Sequence, residues 1–225
     1  MGDCLMALDA GTGSVRAVLF DLEGRQVGAA AREWDHSEDP RWPGSMDFDW
    51  AQNWALACEC TREVLAQTGA DPRDVAALAT TCMREGIVLY DGEGREIWAC
   101  ANVDARSDDE VGQLIRDFPG LEQEIYAESG QTYALGALPR LLWVKNKEPE
   151  IYANTARVAM FNDWLIHRLT GVLVTEPSNG CTTGIFDLEK RDWDPDIARQ
   201  CGALFRVMAY YRQLHRTTPL QPAHG

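Results

Sequence analysis

The sequence contains no run approaching the ~18 consecutive apolar residues of a membrane-crossing helix, which argues against a helical membrane protein. Its start is acidic and lacks both the basic flank and the long apolar core of a signal peptide, so no signal peptide and a cytoplasmic location are expected. Histidine is scarce, with four widely separated copies, and a zinc site is not expected. There is no Cys-x-x-Cys pair. The seven cysteines, at 4, 58, 60, 82, 100, 181 and 201, are odd in number and scattered, which suits reduced, partly buried thiols rather than a disulfide framework. Positive charge is in deficit, with 21 Lys and Arg against 35 Asp and Glu for a net charge of −14. That balance argues against nucleic acid or an anionic membrane as a general partner.

What is present is a chain of 225 residues, 45% apolar, enough for a sizeable core. Its most informative stretch is Met6–Phe20, where two apolar runs flank a tight Gly11-Thr12-Gly13-Ser14 turn with Asp9 at the exit of the first run. Backbone N–H groups and the Thr12 and Ser14 hydroxyls of such a turn point together at one anion. Asp9 is placed to hold a hydrated cation beside it. One reading is a β-hairpin that cradles the phosphates of a metal-bound nucleotide, which the net negative charge leaves open because the donors and the cation act locally. The loop is not a P-loop, because it has no Gly-Lys-Ser/Thr. It is not a dinucleotide fingerprint either, since Arg16 stands where a third glycine is required and Val15–Phe20 favours a strand. The other reading is a plain hairpin whose glycines serve only the turn, and both stand at this point.

The turn Asp21–Gly24 leads into Gln26–Trp34, so the chain opens as a three-stranded meander. Asp49 with Gln52 looks like a helix cap with its reciprocal partner, and apolar or small positions recur at helical spacing to Gly69. Val75–Thr81 and Gly86–Tyr90 read as strands, and the turn Asp91–Gly94 carries the latter into Ile97–Cys100. Helices are expected over Asp104–Arg116, Glu122–Glu128, Leu138–Asn146 and Asp163–Leu169, with a buried strand at Arg157–Phe161. Strands first, then helices alternating with strands, imply a mixed sheet flanked by helices in one α/β domain. Arg206–Gly225 is different: it has no acidic residue, and carries three arginines, two histidines and two prolines. A disordered tail is expected there.

Three polar groups fall at expected strand ends, where ligands of α/β folds gather. Arg84 and Glu85 would donate to and accept from the vicinal hydroxyls of a polyol, or form a surface ion pair of little worth. Asn102, Asp104 and Arg106 follow the second hairpin, and Asn162-Asp163 repeats the arrangement of strand, polar pair and helix. Asp104 and Asp163 serve equally well as helix caps. Ser178–Gly184 reads as a turn or as a pocket lining. Most of the eight tryptophans fall at core-like positions and are not read as a substrate platform.

Taken together, Leu8–Arg16, Met83–Gly86, Asn102–Arg106 and Asn162–Leu165 resemble the N-terminal domain of the FGGY carbohydrate kinases, of the actin-like ATPase superfamily, from Leu5 to about Leu204. Within the family, Thr81–Tyr90 and Trp98–Arg106 look most like the autoinducer-2 kinase group. The resemblance implies a ribonuclease H-like α/β domain over 1–205, with a mixed sheet and helices on both faces. It implies ATP and Mg²⁺ as cofactors. Asp9 would act on Mg²⁺ through water, Gly11, Thr12, Gly13 and Ser14 would approach the phosphates, and Arg16 would help neutralise the transferring group. Arg84 and Glu85 would grip substrate hydroxyls, with Asn102, Asp104 and Asp163 around the same pocket. The implied reaction is phosphorylation of a primary hydroxyl of a small sugar-like substrate, with open-chain dihydroxypentanedione as acceptor in the autoinducer-2 group and xylulose, gluconate or glycerol as alternatives.

The family's catalytic base lies in a Gly-Asp motif after the region covered, and the only Gly-Asp here is Gly2-Asp3. A truncated kinase is therefore expected, without the second, ATP-binding domain and with a tail from a rearranged reading frame. Competing readings are an inactive domain that holds substrate or forms a homodimer with an intact copy, and an actin-type assembly module. Arg84-Glu85 and the 102–106 loop favour a polyol pocket over filament contacts.

Overall fold

The computed structural model describes residues 3–203 and the two-residue strand at 210–211. The rest of 206–225, where a disordered tail is expected, lies outside the described residues. The chain divides into two compact units, Met1–Ser37 with Phe48–Met83, and Glu38–Asp47 with Arg84–Gly225.

In the first unit β1 (Cys4–Ala10), β2 (Ser14–Asp21) and β3 (Gln26–Glu33) form the expected antiparallel meander. Helix α1 (Trp50–Thr68) follows, and β4 (Val75–Cys82) then pairs parallel to β1, giving a mixed sheet of order β3-β2-β1-β4. Strand β1 buries every second residue, Cys4, Met6, Leu8 and Ala10, and their cross-strand neighbours Leu19, Ala17 and Val15 are buried with them. Helix α1 covers this face with Ala57, Cys60 and Val64, and the Cys60 thiol reaches the Val15 carbonyl at 3.6 Å. The helix starts where Asp49 accepts from the N–H groups of Ala51 and Gln52 at 3.1 and 2.9 Å, and it closes at Gly69.

The second unit is built on β5 (Ile87–Tyr90), β6 (Glu96–Cys100) and, after four helices, β7 (Arg157–Met160), paired antiparallel in the order β6-β5-β7. Central β5 is buried along its whole length, which explains its unbroken apolar sequence. The helices are α2 (Asp108–Asp117), α3 (Leu121–Ser129), α4 (Ala137–Lys147) and α5 (Pro149–Asn154). After β7 come α6 (Phe161–Thr170), β8 (Val174–Thr175), α7 (Pro177–Gly180), the paired β9 (Phe186–Asp187) and β10 (Asp192–Trp193), and α8 (Pro195–Gln200). A final strand, β11 (Tyr210–Tyr211), pairs parallel to β8. The core gathers Ile87, Leu89, Leu114, Ile125, Leu138, Leu141 and Trp143.

The β5–β6 turn is as expected: Gly94 takes a left-handed φ of 79° and its N–H reaches the Asp91 carbonyl at 3.1 Å. Two details differ. The helix expected from Asp104 begins at Asp108, because the Asp104 carboxylate is engaged elsewhere, as described below. Helix α5 was not expected; its signal is Pro149 at the first helical position.

Candidate functional site

The Asp9–Arg16 loop lies in the first unit. The β1–β2 register sets Asp9 opposite Arg16, and Arg16 Nη2 donates to Asp9 Oδ2 at 2.8 Å in a solvent-exposed pair. Neither Gly11 nor Gly13 has a positive φ, and a Cβ on Gly13 would meet nothing within 4 Å. One on Gly11 would touch only the Ser14 carbonyl, at 3.5 Å. The fold itself therefore does not require glycine at either position.

The loop's carbonyls are tied to the exit of β3. Trp34 Nε1 donates to the carbonyls of Gly11 and Thr12 at 3.1 and 3.0 Å, and the Trp34 N–H donates to that of Gly13 at 3.1 Å. His36 Nε2 lies 2.7 Å from the Thr12 carbonyl, so this nitrogen carries the proton. In a planar trans peptide the carbonyl of one residue and the N–H of the next point oppositely. Pinning three successive carbonyls on one side therefore turns the amides of Thr12, Gly13 and Ser14 to the other. Sequence reasoning missed His36, and it treated Trp34 as core. Trp34 is indeed 4% exposed and packs edge-on against Phe48 at 5.5 Å. Trp34→Phe keeps an aromatic ring facing Phe48 and removes the indole donor. It is expected to cost about 1 kcal/mol in urea denaturation and to speed amide exchange at Thr12–Ser14.

The other candidate residues lie in the second unit, where the register of β5 with β6 and β7 brings Gly86, Ala101 and Phe161 to one end of the three-stranded sheet. Arg84 is exposed and Glu85 half-buried. Glu85 adopts a φ of 71°, a left-handed conformation uncommon for a residue with a side chain. Arg84 acts on Cys181 by charge: burial pushes that thiol up, and Arg84 opposes the shift without reversing it.

Asp104 is 3% exposed, and its carboxylate accepts from Met46 N at 2.6 Å, Arg106 N at 3.2 Å and Arg106 Nε at 2.7 Å. It thereby anchors the 38–47 segment to its unit. Arg106 also pairs with Asp47 and lies against both stacked rings of Trp98 and Trp143, 5.1 and 5.0 Å from their centroids. Burial works against its charge, but the bonds from Asp104 and Asp47 prevail and raise its pKa.

The structure brings Glu85, Asn102 and Asp104 together through Arg140, a residue that sequence reasoning passed over inside an expected helix. Its guanidinium donates to the carbonyls of all three, and to that of Leu135. Asp163 is placed differently. At 1% exposure it accepts from Met160 N at 2.9 Å and from Asn179 Nδ2 at 3.0 Å, one bond to each carboxylate oxygen. Burial drives its carboxyl up to about 7 against the pull of Met160, Asn179 and Thr175. The Ser178–Gly184 segment is helical rather than the expected turn: the end of α7 runs into a 3-10 helix at Cys181–Thr183, and Thr182 and Thr183 donate to the carbonyls of Asn179 and Gly180.

A glycine-threonine loop between the first two strands of a mixed sheet, with polar residues at the ends of a second sheet, is the layout of a sugar kinase's first domain. Residues 4–213 match the family described as "FGGY family of carbohydrate kinases, N-terminal domain", and the chain belongs to that family. The match runs nine residues beyond Leu204. An autoinducer-2 kinase from Yersinia enterocolitica is 51% identical over 202 residues, covering 89% of this chain and 38% of the relative. One from Escherichia coli is 51% identical over 199 residues, covering 88% and 38%. The chain thus spans about 38% of the length of these curated relatives. Among solved structures, a xylulose kinase from Lactobacillus acidophilus superposes with a TM-score of 0.83 at 20% identity, over 97% of this chain and 44% of that one. That likeness establishes the fold. Among the described residues, no helix is long and apolar enough to cross a membrane.

Proposed function

We propose that this chain is the substrate- and phosphate-binding part of an ATP-dependent kinase that phosphorylates a primary hydroxyl of a small sugar-like molecule, dihydroxypentanedione before xylulose, gluconate or glycerol. The observation that carries the phosphate role is the Gly11–Ser14 loop. Its carbonyls are tied back by Trp34 and His36, and its glycines answer to no demand of the fold. Glycine there leaves room for an anion at the backbone amides. The solvent-accessible Asp9 carboxylate fits a hydrated Mg²⁺, which would supply charge neutralisation when bound. Arg16, exposed beside it, adds a cation for the transferring group.

Arg84, Glu85 and Asn102 have the donors and acceptors that adjacent hydroxyls require. Asp104 and Asp163, with their oxygens engaged inside the protein, serve the same pocket by holding its walls. The acceptor assignment rests on the identity to autoinducer-2 kinases.

Titration calorimetry with dihydroxypentanedione and, separately, with MgATP tests the reading. Both are expected to bind, and Arg84→Ala or Glu85→Gln is expected to weaken only the former, by about tenfold or more per lost charge-assisted bond. Binding of neither ligand overturns the proposal.

A further inference from the structure

Arg140, in α4, is 1% exposed. Nη1 donates to the Glu85 carbonyl and, at 2.6 Å, to that of Leu135; Nη2 donates to Asn102 O at 2.9 Å and Asp104 O at 3.1 Å. Among the described residues it forms no ion pair. A buried guanidinium is a costly way to fill a core position that leucine or methionine would fill more stably. Its distinctive property is a planar fork of donors that fixes several acceptors in relative position. Three of the four acceptors belong to the two loops that carry Arg84-Glu85 and Asn102–Asp104. One of them, Glu85, has the left-handed backbone noted above. Fixing the Glu85 carbonyl blocks rotation of the peptide plane that joins it to Gly86, so the bond holds that conformation.

We propose that Arg140 is a positioning residue, which locks the Arg84-Glu85 loop against the 102–104 loop so that the polyol-gripping groups are in place before a ligand arrives. The ligand part of this inference rests on the function proposed above; the locking does not. A preset site avoids the ordering cost that a loose one meets on binding.

The test compares the wild type with Arg140→Met, which keeps the volume and removes every donor, and with Arg140→Lys, which keeps the charge with fewer, non-planar donors. Amide hydrogen exchange is measured across the chain, and dihydroxypentanedione and D-xylulose are titrated. In Arg140→Met, exchange at Gly86 and at 102–104 is expected to rise by about tenfold or more, with a smaller rise in Arg140→Lys. Amides of α1, α3 and α6 should keep wild-type protection, and affinity for the sugar should fall in the same order. A rise spread evenly over α3, α4 and α6 would reduce Arg140 to a stability residue and overturn the proposal, as would unchanged exchange at 86 and 102–104. If Arg140→Met does not fold, the lysine variant carries the comparison alone. If the wild type binds neither sugar while the local exchange pattern holds, the sugar reading fails and the locking role stands.

Discussion

Gly86→Ala is expected to lower the melting temperature by at least about 4 °C and to abolish the proposed polyol binding with it. A Cβ at position 86 would lie 2.1 and 2.2 Å from Cε2 and Cδ2 of Phe161, and 3.1 Å from the Cys100 carbonyl oxygen. Neither neighbour yields easily. Cys100 O is backbone of β6, and Phe161 is fully buried with its ring 6.0 Å from that of Trp164. Inserting one methyl into such a site forces side chains off their rotamers and shifts backbone, typically at about 1–3 kcal/mol and occasionally more. The displacement falls between Glu85 and β5, so it moves the Arg84-Glu85 loop relative to Asn102. Phe161→Leu, added to Gly86→Ala, removes the ring atoms in question and should recover part of both losses, a coupling that a double-mutant cycle measures. An alanine variant with wild-type melting temperature and affinity would show that the ring moves aside freely.

The parts of this fold that were legible in sequence are those decided within a few residues. Asp49 and Gly69 bound α1 through groups on adjacent residues, and the Asp91–Gly94 turn is fixed by one aspartate and one left-handed glycine. The parts that were not legible depend on partners far along the chain. Arg140 bonds carbonyls 55, 38 and 36 residues away, and nothing within α4 marks it except a basic residue among apolar ones. The Asp104 carboxylate spends one bond on Met46, 58 residues earlier, which is why the helix expected from 104 starts at 108. His36 meets the Thr12 carbonyl across 24 residues. The Gly11–Ser14 loop lies between these cases: its composition suggested an anion, and only the structure shows that its glycines meet no demand of positive φ or crowding.

Wild-type stability is expected to fall between about pH 4 and pH 7 through Asp163, and Asp163→Asn should remove that slope. The carboxyl has an ordinary value of 3.8 when exposed and is pushed up to about 7 in the fold by burial. Between those values the folded chain retains a proton that the unfolded chain has released, so each pH unit across the window disfavours folding by about 1.4 kcal/mol. Below pH 4 both states are protonated and the contribution is fully present; above pH 7 both are ionised and the loss is complete. Asparagine does not titrate. It keeps an oxygen for the Met160 N–H, and its amide donates to Asn179 once that side chain exchanges the ends of its own amide. Urea denaturation at pH 5 and pH 8 reads the effect: the stability difference between variant and wild type should shift in the variant's favour by about 2–3 kcal/mol. Other titrating groups are common to both proteins and cancel, so parallel pH dependence would mean that the carboxyl is ionised throughout. The same experiment bears on the site. An acid that holds its proton up to neutral pH, with each oxygen already bonded inside the protein, is poorly suited to grip a hydroxyl directly. In the function proposed above that task belongs to Arg84, Glu85 and Asn102, while Asp163 holds the first turn of α6 against Asn179.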